Sequence, residues 1–252
     1  MFDAAFLNGL GYPALVVLLG YWVFGLTGFG SALVIIPLLS WQWPLSVIVP
    51  TVLLLDVPAS IAHTGMNLKH VQWHVVPKVM PFAFLGAWFG SMAHPWGDSD
   101  WALSVLGLYI CWVAVRGLRG QTQPFEPPGL MVNSMAGTLM GLIETLFGTA
   151  GPVVMAWLTR QERKIEDVRA TAPLLILITV CIALLSNGFS GRSDMEQVLA
   201  KTLWLAPMAL LGGWIGQKSN SRVNPIVASK TIYAVLLASG IGLMARSPLI
   251  GY

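Results

Sequence analysis

The sequence predicts an all-α polytopic membrane protein built from two homologous four-segment halves. Three observations carry that prediction. The 252 residues are 56% hydrophobic and only 10% charged, with a mean hydropathy of +0.71, whereas a soluble domain carries roughly 25% charged residues. Too few polar residues remain to cover a large soluble core. A ten-residue pattern also occurs twice, as Pro81-x-Ala83-x-Leu85-Gly86-x-Trp88-x-Gly90 and Pro207-x-Ala209-x-Leu211-Gly212-x-Trp214-x-Gly216, at a constant offset of 126. Both copies lie in long apolar runs, as expected of a duplicated transporter. Finally, the apolar runs and their punctuation divide the chain into eight segments, near 5–41, 46–66, 76–94, 101–115, 130–158, 170–188, 202–217 and 229–246.

The start, Met1-Phe2-Asp3, lacks the positive n-region of a secretory signal, so the first apolar run is expected to be retained. A bilayer span needs about 20 residues. Six segments suit a single crossing. The first and fifth are too long, and each is interrupted by small residues: Gly25-Leu-Thr-Gly28-Phe-Gly30-Ser31-Ala32 and Phe147-Gly148-Thr149-Ala150-Gly151-Pro152. Helix–break–helix is predicted at both, either as a re-entrant hairpin or as two crossing limbs. In the third and seventh segments, Gly86-x-x-x-Gly90 and Gly212-x-x-x-Gly216 allow close helix approach. Residues 121–129, rich in Gln and Pro, read as the linker between a first repeat at 1–120 and a second at 130–252. Cys111 and Cys181 fall in apolar runs and read as small buried hydrophobes.

Loop charge separates the topologies. If every segment crosses once, Lys and Arg divide evenly between the faces. If segments one and five each return to their starting side, or cross twice, one face collects Lys69, Lys78, Arg116, Arg119, Arg160, Arg163, Lys164, Arg169, Lys218, Arg222 and Lys230. The other keeps Arg192, Lys201 and Arg246. Positive residues collect in the cytoplasm, so the second arrangement is preferred. It makes the halves inverted repeats and places both termini outside an inner membrane.

Irregular backbone within a membrane survives only if buried in protein or lining a cavity. The start of a second helical limb offers free N–H donors and partial positive charge, which suit an anion. The expected substrate site is therefore Thr27, Gly28, Gly30, Ser31 and Ala32 at one tip, with Thr145, Gly148, Thr149, Gly151 and Pro152 at the other. The alternative is that these glycines serve helix packing alone. Asp56, His63 and Glu144 are the ionisable residues within apolar segments and are candidates for coupling. Glu144, one turn before Gly148, could bind a proton or cation, or cap backbone near the break. Asp56 is read first as an acceptor for backbone donors freed around Pro58. His63 reads equally as an interface histidine. Lys69 and Arg169, at segment ends, are expected to anchor helices or to reach toward a substrate path.

No catalytic constellation or phosphate-binding loop is present, so neither an enzyme nor a cofactor is expected, and no metal site. The net charge of +3 and the lack of a basic stripe argue against nucleic acid. The expected partners are the lipid bilayer, a small anion and a coupling proton or cation; a homodimer is compatible with the sequence. An anion channel, or a membrane-integral enzyme or assembly subunit, are the competing classes.

Taken together, Gly25-x-x-Gly28-Phe-Gly30-Ser-Ala-x-x-x-x-Pro37-Leu38, Gly148-Thr-Ala-Gly151-Pro152, and Ser60-Ile-Ala-His63 followed by Val71-Gln-Trp73 resemble the signatures of the TauE/SafE permeases, the toluene sulfonate uptake permease family. The resemblance spans nearly the whole chain. It implies transport of a sulfur-containing anion, sulfite or an organosulfonate such as sulfoacetate, across the cytoplasmic membrane. The chain departs from the family pattern at Ser31-Ala32, where two glycines are frequent, and at Ala150. "Small anion" follows from the residues; "sulfur" follows only from the resemblance.

Overall fold

A computed structural model describes residues 4–93, 100–119, 128–161, 164–187 and 195–219, with Tyr233, Ala234, Leu237, Gly240, Ile241 and Met244. Nine α-helices lie among the described residues: α1 (Ala4–Thr27), α2 (Ser31–Leu39), α3 (Leu45–Met66), α4 (Val76–Ala93), α5 (Asp100–Leu118), α6 (Leu130–Phe147), α7 (Gly151–Gln161), α8 (Ile165–Asn187) and α9 (Met195–Ser219). Two 3-10 turns, Leu68–His70 and Trp73–Val75, join α3 to α4. Five stretches among the described residues are long and apolar enough to cross a membrane, within α3, α4 with the turn before it, α6, α8 and α9. Most of the segment expected at 229–246 and most of the linker lie outside the described residues.

Both long segments are broken where their small residues stand. The first stops at Thr27 and restarts at Ser31; the other stops at Phe147 and restarts at Gly151. Each first limb ends in the same way. Gly28 (φ 81°) donates its N–H to the Phe24 carbonyl at 2.7 Å, and Gly148 (φ 62°) donates to the Glu144 carbonyl at 2.8 Å. A positive-φ glycine closing a helix through a bond to the carbonyl four residues back is a common C-terminal stop. The second limbs lie back along the first. The Tyr12 hydroxyl donates to the Leu38 carbonyl at 3.0 Å, and a side chain on Gly20 would meet Ile35. In the other half, Trp157 Nε1 and Gln161 Nε2 donate to Asn133 Oδ1 at 2.9 and 3.3 Å.

The two copies of the ten-residue pattern behave alike. Ala83, Gly86 and Gly90 are buried, as are Ala209, Gly212 and Gly216; Pro81, Leu85 and Trp88 face outward, as do Pro207, Leu211 and Trp214. The glycines serve an exchanged packing, in which α4 of the first half lies along α6 of the second and α9 of the second lies along α1 of the first. A Cβ at Gly86 would strike the Thr138 carbonyl, and one at Gly90 would crowd Leu142 and Thr145. A Cβ at Gly212 would strike the Leu18 carbonyl, and one at Gly216 the Trp22 carbonyl. Thr138 and Leu142 stand before Gly148 as Leu18 and Trp22 stand before Gly28, so the contacts fall at equivalent positions. Lipid offers no hydrophobic drive between helices, and association then rests on such close backbone approach.

Polar and apolar residues are placed as in a bilayer. Leu15, Phe89, Trp112, Leu130, Met131 and Leu203 face outward, while Ser31, Asp56, Glu144, Thr145 and Thr149 are buried. Apolar surface on this scale would be a liability in water. Cys111 is half-buried and Cys181 exposed, and both thiols are free. Cys181 therefore departs from the expected buried hydrophobe, because it sits on an outward face of α8. At one end, polar links join the halves: His70 Nδ1 to Asp167 Oδ1 at 3.3 Å, the Gln72 amide to Thr171 Oγ1 at 3.0 Å, and Lys78 Nζ to Gln161 Oε1 at 3.0 Å.

Candidate functional site

The two breaks meet. A Cβ on Gly151, the first residue of α7, would lie 3.2 Å from Phe29 Cβ and 3.5 Å from the Gly30 nitrogen. Around this contact is a small cavity. Gly30, Ser31, Ala32 and Leu33 line it from the first tip, and Gly148, Thr149, Gly151 and Pro152 from the second; Asp56 of α3, Glu144 of α6 and Ile176 of α8 complete it. Two helix N-termini thus share one space, with their first-turn donors and positive dipole ends nearby. Pro152 takes the second position of α7, where a missing N–H costs nothing.

Each tip is held by a buried carboxyl group. At the first, Asp56 Oδ1 accepts the Ser31 hydroxyl at 2.9 Å and the Tyr21 hydroxyl at 2.7 Å. At the second, Glu144 Oε2 accepts the Ala150 N–H at 2.7 Å. Asp56 and Glu144 are 2% and 1% exposed. Neither is in a salt bridge among the described residues, and no Lys, Arg or His lines the cavity. Glu144 Oε1 and Thr149 Oγ1 are buried without a hydrogen-bond partner. Buried polar atoms are normally satisfied, so two orphans on the wall of one cavity are unusual. Tyr109 of α5 supports the second tip by donating to the Thr149 carbonyl at 3.1 Å.

Most of the expected site residues line the cavity, but Thr27, Gly28 and Thr145 do not. The Thr27 hydroxyl bridges its own break, reaching the Val23 and Phe29 carbonyls at 2.8 and 2.6 Å. Gly28 closes α1 and stands against the Arg169 carbonyl. Thr145 donates to the Gly141 carbonyl at 2.8 Å and packs on Gly90. Asp56 takes side-chain donors from Tyr21 and Ser31 in place of the expected backbone donors around Pro58. A helix proline removes an N–H and leaves a carbonyl acceptor free, which a carboxylate oxygen cannot bind. His63 is buried edge-on against Phe24, with 5.7 Å between ring centroids, and stands away from the cavity. Lys69 is exposed in a 3-10 turn, and neither it nor Arg169 lines the cavity.

Tyr21, Leu33, Tyr109 and Ile176 were not expected. Tyr21 carried the clearest signal. A tyrosine two turns before a helix break, in an otherwise apolar span, needs a partner for its hydroxyl, and Asp56 is the nearest intramembrane acid in sequence.

Comparison with known proteins shows the family. A family model described as "Sulfite exporter TauE/SafE" matches residues 13–243. A Comamonas testosteroni protein named "Probable inner membrane transporter protein TsaS" is 35% identical over 193 residues, which cover 76% of this chain and 80% of that protein. A Cupriavidus necator protein named "Probable sulfite/organosulfonate exporter TauE" is 23% identical over 226 residues, covering 86% and 87%. No solved structure matches the chain. With the family model matched over most of its length, the chain belongs to the TauE/SafE family of membrane transporters.

Proposed function

We propose that this protein is a secondary transporter that carries a small sulfur oxyanion, sulfite or an organosulfonate such as sulfoacetate, across the cytoplasmic membrane. The substrate sits between the tips at Gly30–Leu33 and Gly148–Pro152. The observation that carries this reading is the shared cavity. Two helix starts open onto it, and an unpartnered Thr149 hydroxyl faces it. A sulfonate or sulfite group presents three acceptor oxygens to such donors, and helix N-termini favour anions. "Sulfur" comes from the relatives, one of which is named for sulfite and organosulfonate.

The broken segments act as re-entrant hairpins in inverted repeats. This is supported by the fold-back contacts Tyr12–Leu38 and Trp157–Asn133 and by the exchanged packing of α4 on α6 and α9 on α1. Alternating access then moves one bundle against the other, breaking links such as His70–Asp167 and Lys78–Gln161 in one state. With no nucleotide-binding signature in the sequence, the energy comes from an ion gradient or the substrate's own gradient.

Binding is tested by a thermal-shift panel on detergent-solubilised protein with sulfite, sulfate, sulfoacetate, taurine, acetate and phosphate. A ligand that binds only the folded state raises the melting temperature by mass action. A rise with sulfite or a sulfonate and none with acetate is expected. Equal rises with every anion, or none with any, would contradict a preformed sulfur-oxyanion site.

A further inference from the structure

We propose that Asp56 and Glu144 are internal stand-ins for the substrate, so that each anion is loaded together with two protons. The inference rests on the reading of the tip cavity as the anion site. It starts from where the donors now point. The Ser31 hydroxyl, on the cavity wall at the start of α2, donates a hydrogen bond to Asp56 Oδ1 at 2.9 Å. The Ala150 N–H, next to the start of α7, is given to Glu144 Oε2 at 2.7 Å. Each tip thus spends a donor on a carboxyl group of the protein, and both carboxyl groups line the space the anion needs.

An arriving anion must take over those donors. If the carboxylates stay ionised, two negative charges face a third in a space with no Lys, Arg or His on its wall among the described residues. Like charges brought together in a low-dielectric interior oppose one another strongly. One proton on each carboxyl group removes both obstacles. The acid form needs neither the Ser31 hydroxyl nor the Ala150 amide as a donor, and its own O–H becomes a donor to the anion. Glu144 Oε1, buried and unpartnered, is the free position from which such a hydrogen bond would come.

The surroundings leave the task to these two groups. The other titratable groups facing the cavity region are Tyr21 of α1, which donates to Asp56, and Tyr109 of α5, which donates to the Thr149 carbonyl. His63 of α3 packs edge-on to Phe24, away from the wall. The charge balance is then fixed. A sulfonate monoanion with two protons moves one net positive charge per cycle, and a sulfite dianion with two protons moves none.

The test needs no variant at first. The affinity of the purified protein for sulfoacetate is measured by isothermal titration between about pH 6 and pH 10, a range in which free carboxylates and sulfonates do not titrate. Two coupled protons predict that affinity falls as pH rises, with a limiting change of about a hundredfold per pH unit. Glu144→Gln and Asp56→Asn each reduce the limit to about tenfold, and the double variant abolishes it. In proteoliposomes, sulfoacetate uptake is expected to acidify the lumen and, because this dianion with two protons carries no net charge, to be indifferent to an imposed potential. Uptake with pH-independent affinity and no proton movement would overturn this inference and leave the transport function standing. Absence of binding and uptake for every sulfur oxyanion would overturn both.

Discussion

The two tips reach the same end with different residues. The first uses two positive-φ glycines, Gly28 and Gly30 (φ 93°), and a side-chain donor, Ser31. Its carboxyl group, Asp56, comes from another helix and is steadied by Tyr21 from a third. The second tip uses one positive-φ glycine, Gly148, and a backbone donor, the Ala150 N–H. Its carboxyl group, Glu144, comes from the same segment, one turn before the break. What the halves share closely is packing: the glycines of α4 and α9 dock on equivalent carbonyls. The packing is alike at the two tips while their chemistry differs, with one acid supplied across helices and the other along the chain.

The comparison can be broken most severely at the shared scaffold. Gly86→Val and Gly212→Val each force a side chain into a neighbouring backbone carbonyl. Both variants are expected to lose the monodisperse folded peak in detergent chromatography. Trp88→Leu, on an outward face, should keep it. Survival of either glycine variant would show that the close packing is not required.

A smaller effect separates the tips. Tyr21→Phe removes a side-chain donor from buried Asp56, and hydrogen bonds to charged groups contribute about 1.5–3 kcal/mol. A lower melting temperature and a changed pH dependence of binding are expected. Glu144 has no such exposure to mutation, because its donor is backbone. An unchanged Tyr21→Phe protein would mean that Asp56 is held by Ser31 alone.

The break glycines sharpen the contrast next. Ala at Gly30 or Gly148 meets no close atom, so the cost is conformational, about 1–2 kcal/mol for a left-handed residue. At φ 62° Gly148 lies in the region that Asn tolerates, whereas Gly30 at φ 93° lies beyond it. Gly148→Asn should therefore retain more thermal stability than Gly30→Asn; equal losses would contradict the assigned backbone difference. The smallest expected change is Tyr109→Phe. It removes one neutral bond to the Thr149 carbonyl, worth about 0.5–1.5 kcal/mol, and should lower the melting temperature slightly with little effect on affinity for the anion.

Much of this was legible in the sequence because bilayer chemistry is restrictive. Long apolar runs had to be helices, so the described helices fall close to the expected segments. The small-residue runs Gly25–Ala32 and Phe147–Pro152 marked the two breaks, but Gly28, expected at the substrate site, instead closes α1 with positive φ. The intramembrane acids Asp56 and Glu144 stood out because an ionisable group in lipid is costly. What periodicity could not give was direction around each helix. Thr145 and Thr27 sit beside the tips in sequence, yet one faces Gly90 and the other its own backbone. Nor could it bring Tyr109 to the second tip or Ile176 to the cavity, because these contacts depend on how helices distant in sequence pack. The repeat was visible as six matched residues, but the exchange of α4 and α9 between halves is a property of packing alone.

The most direct test of the central claim is tracer flux in proteoliposomes containing only this protein. Uptake of labelled sulfite or sulfoacetate is compared between the natural chain and Gly151→Val, whose side chain would press on Phe29 of the opposite tip. Saturable uptake, accelerated by unlabelled substrate inside and lost in Gly151→Val of unchanged folding, is the expected result. Uptake no greater than in protein-free liposomes, or saturable uptake that Gly151→Val leaves intact, would contradict a transporter that holds its anion between the two tips.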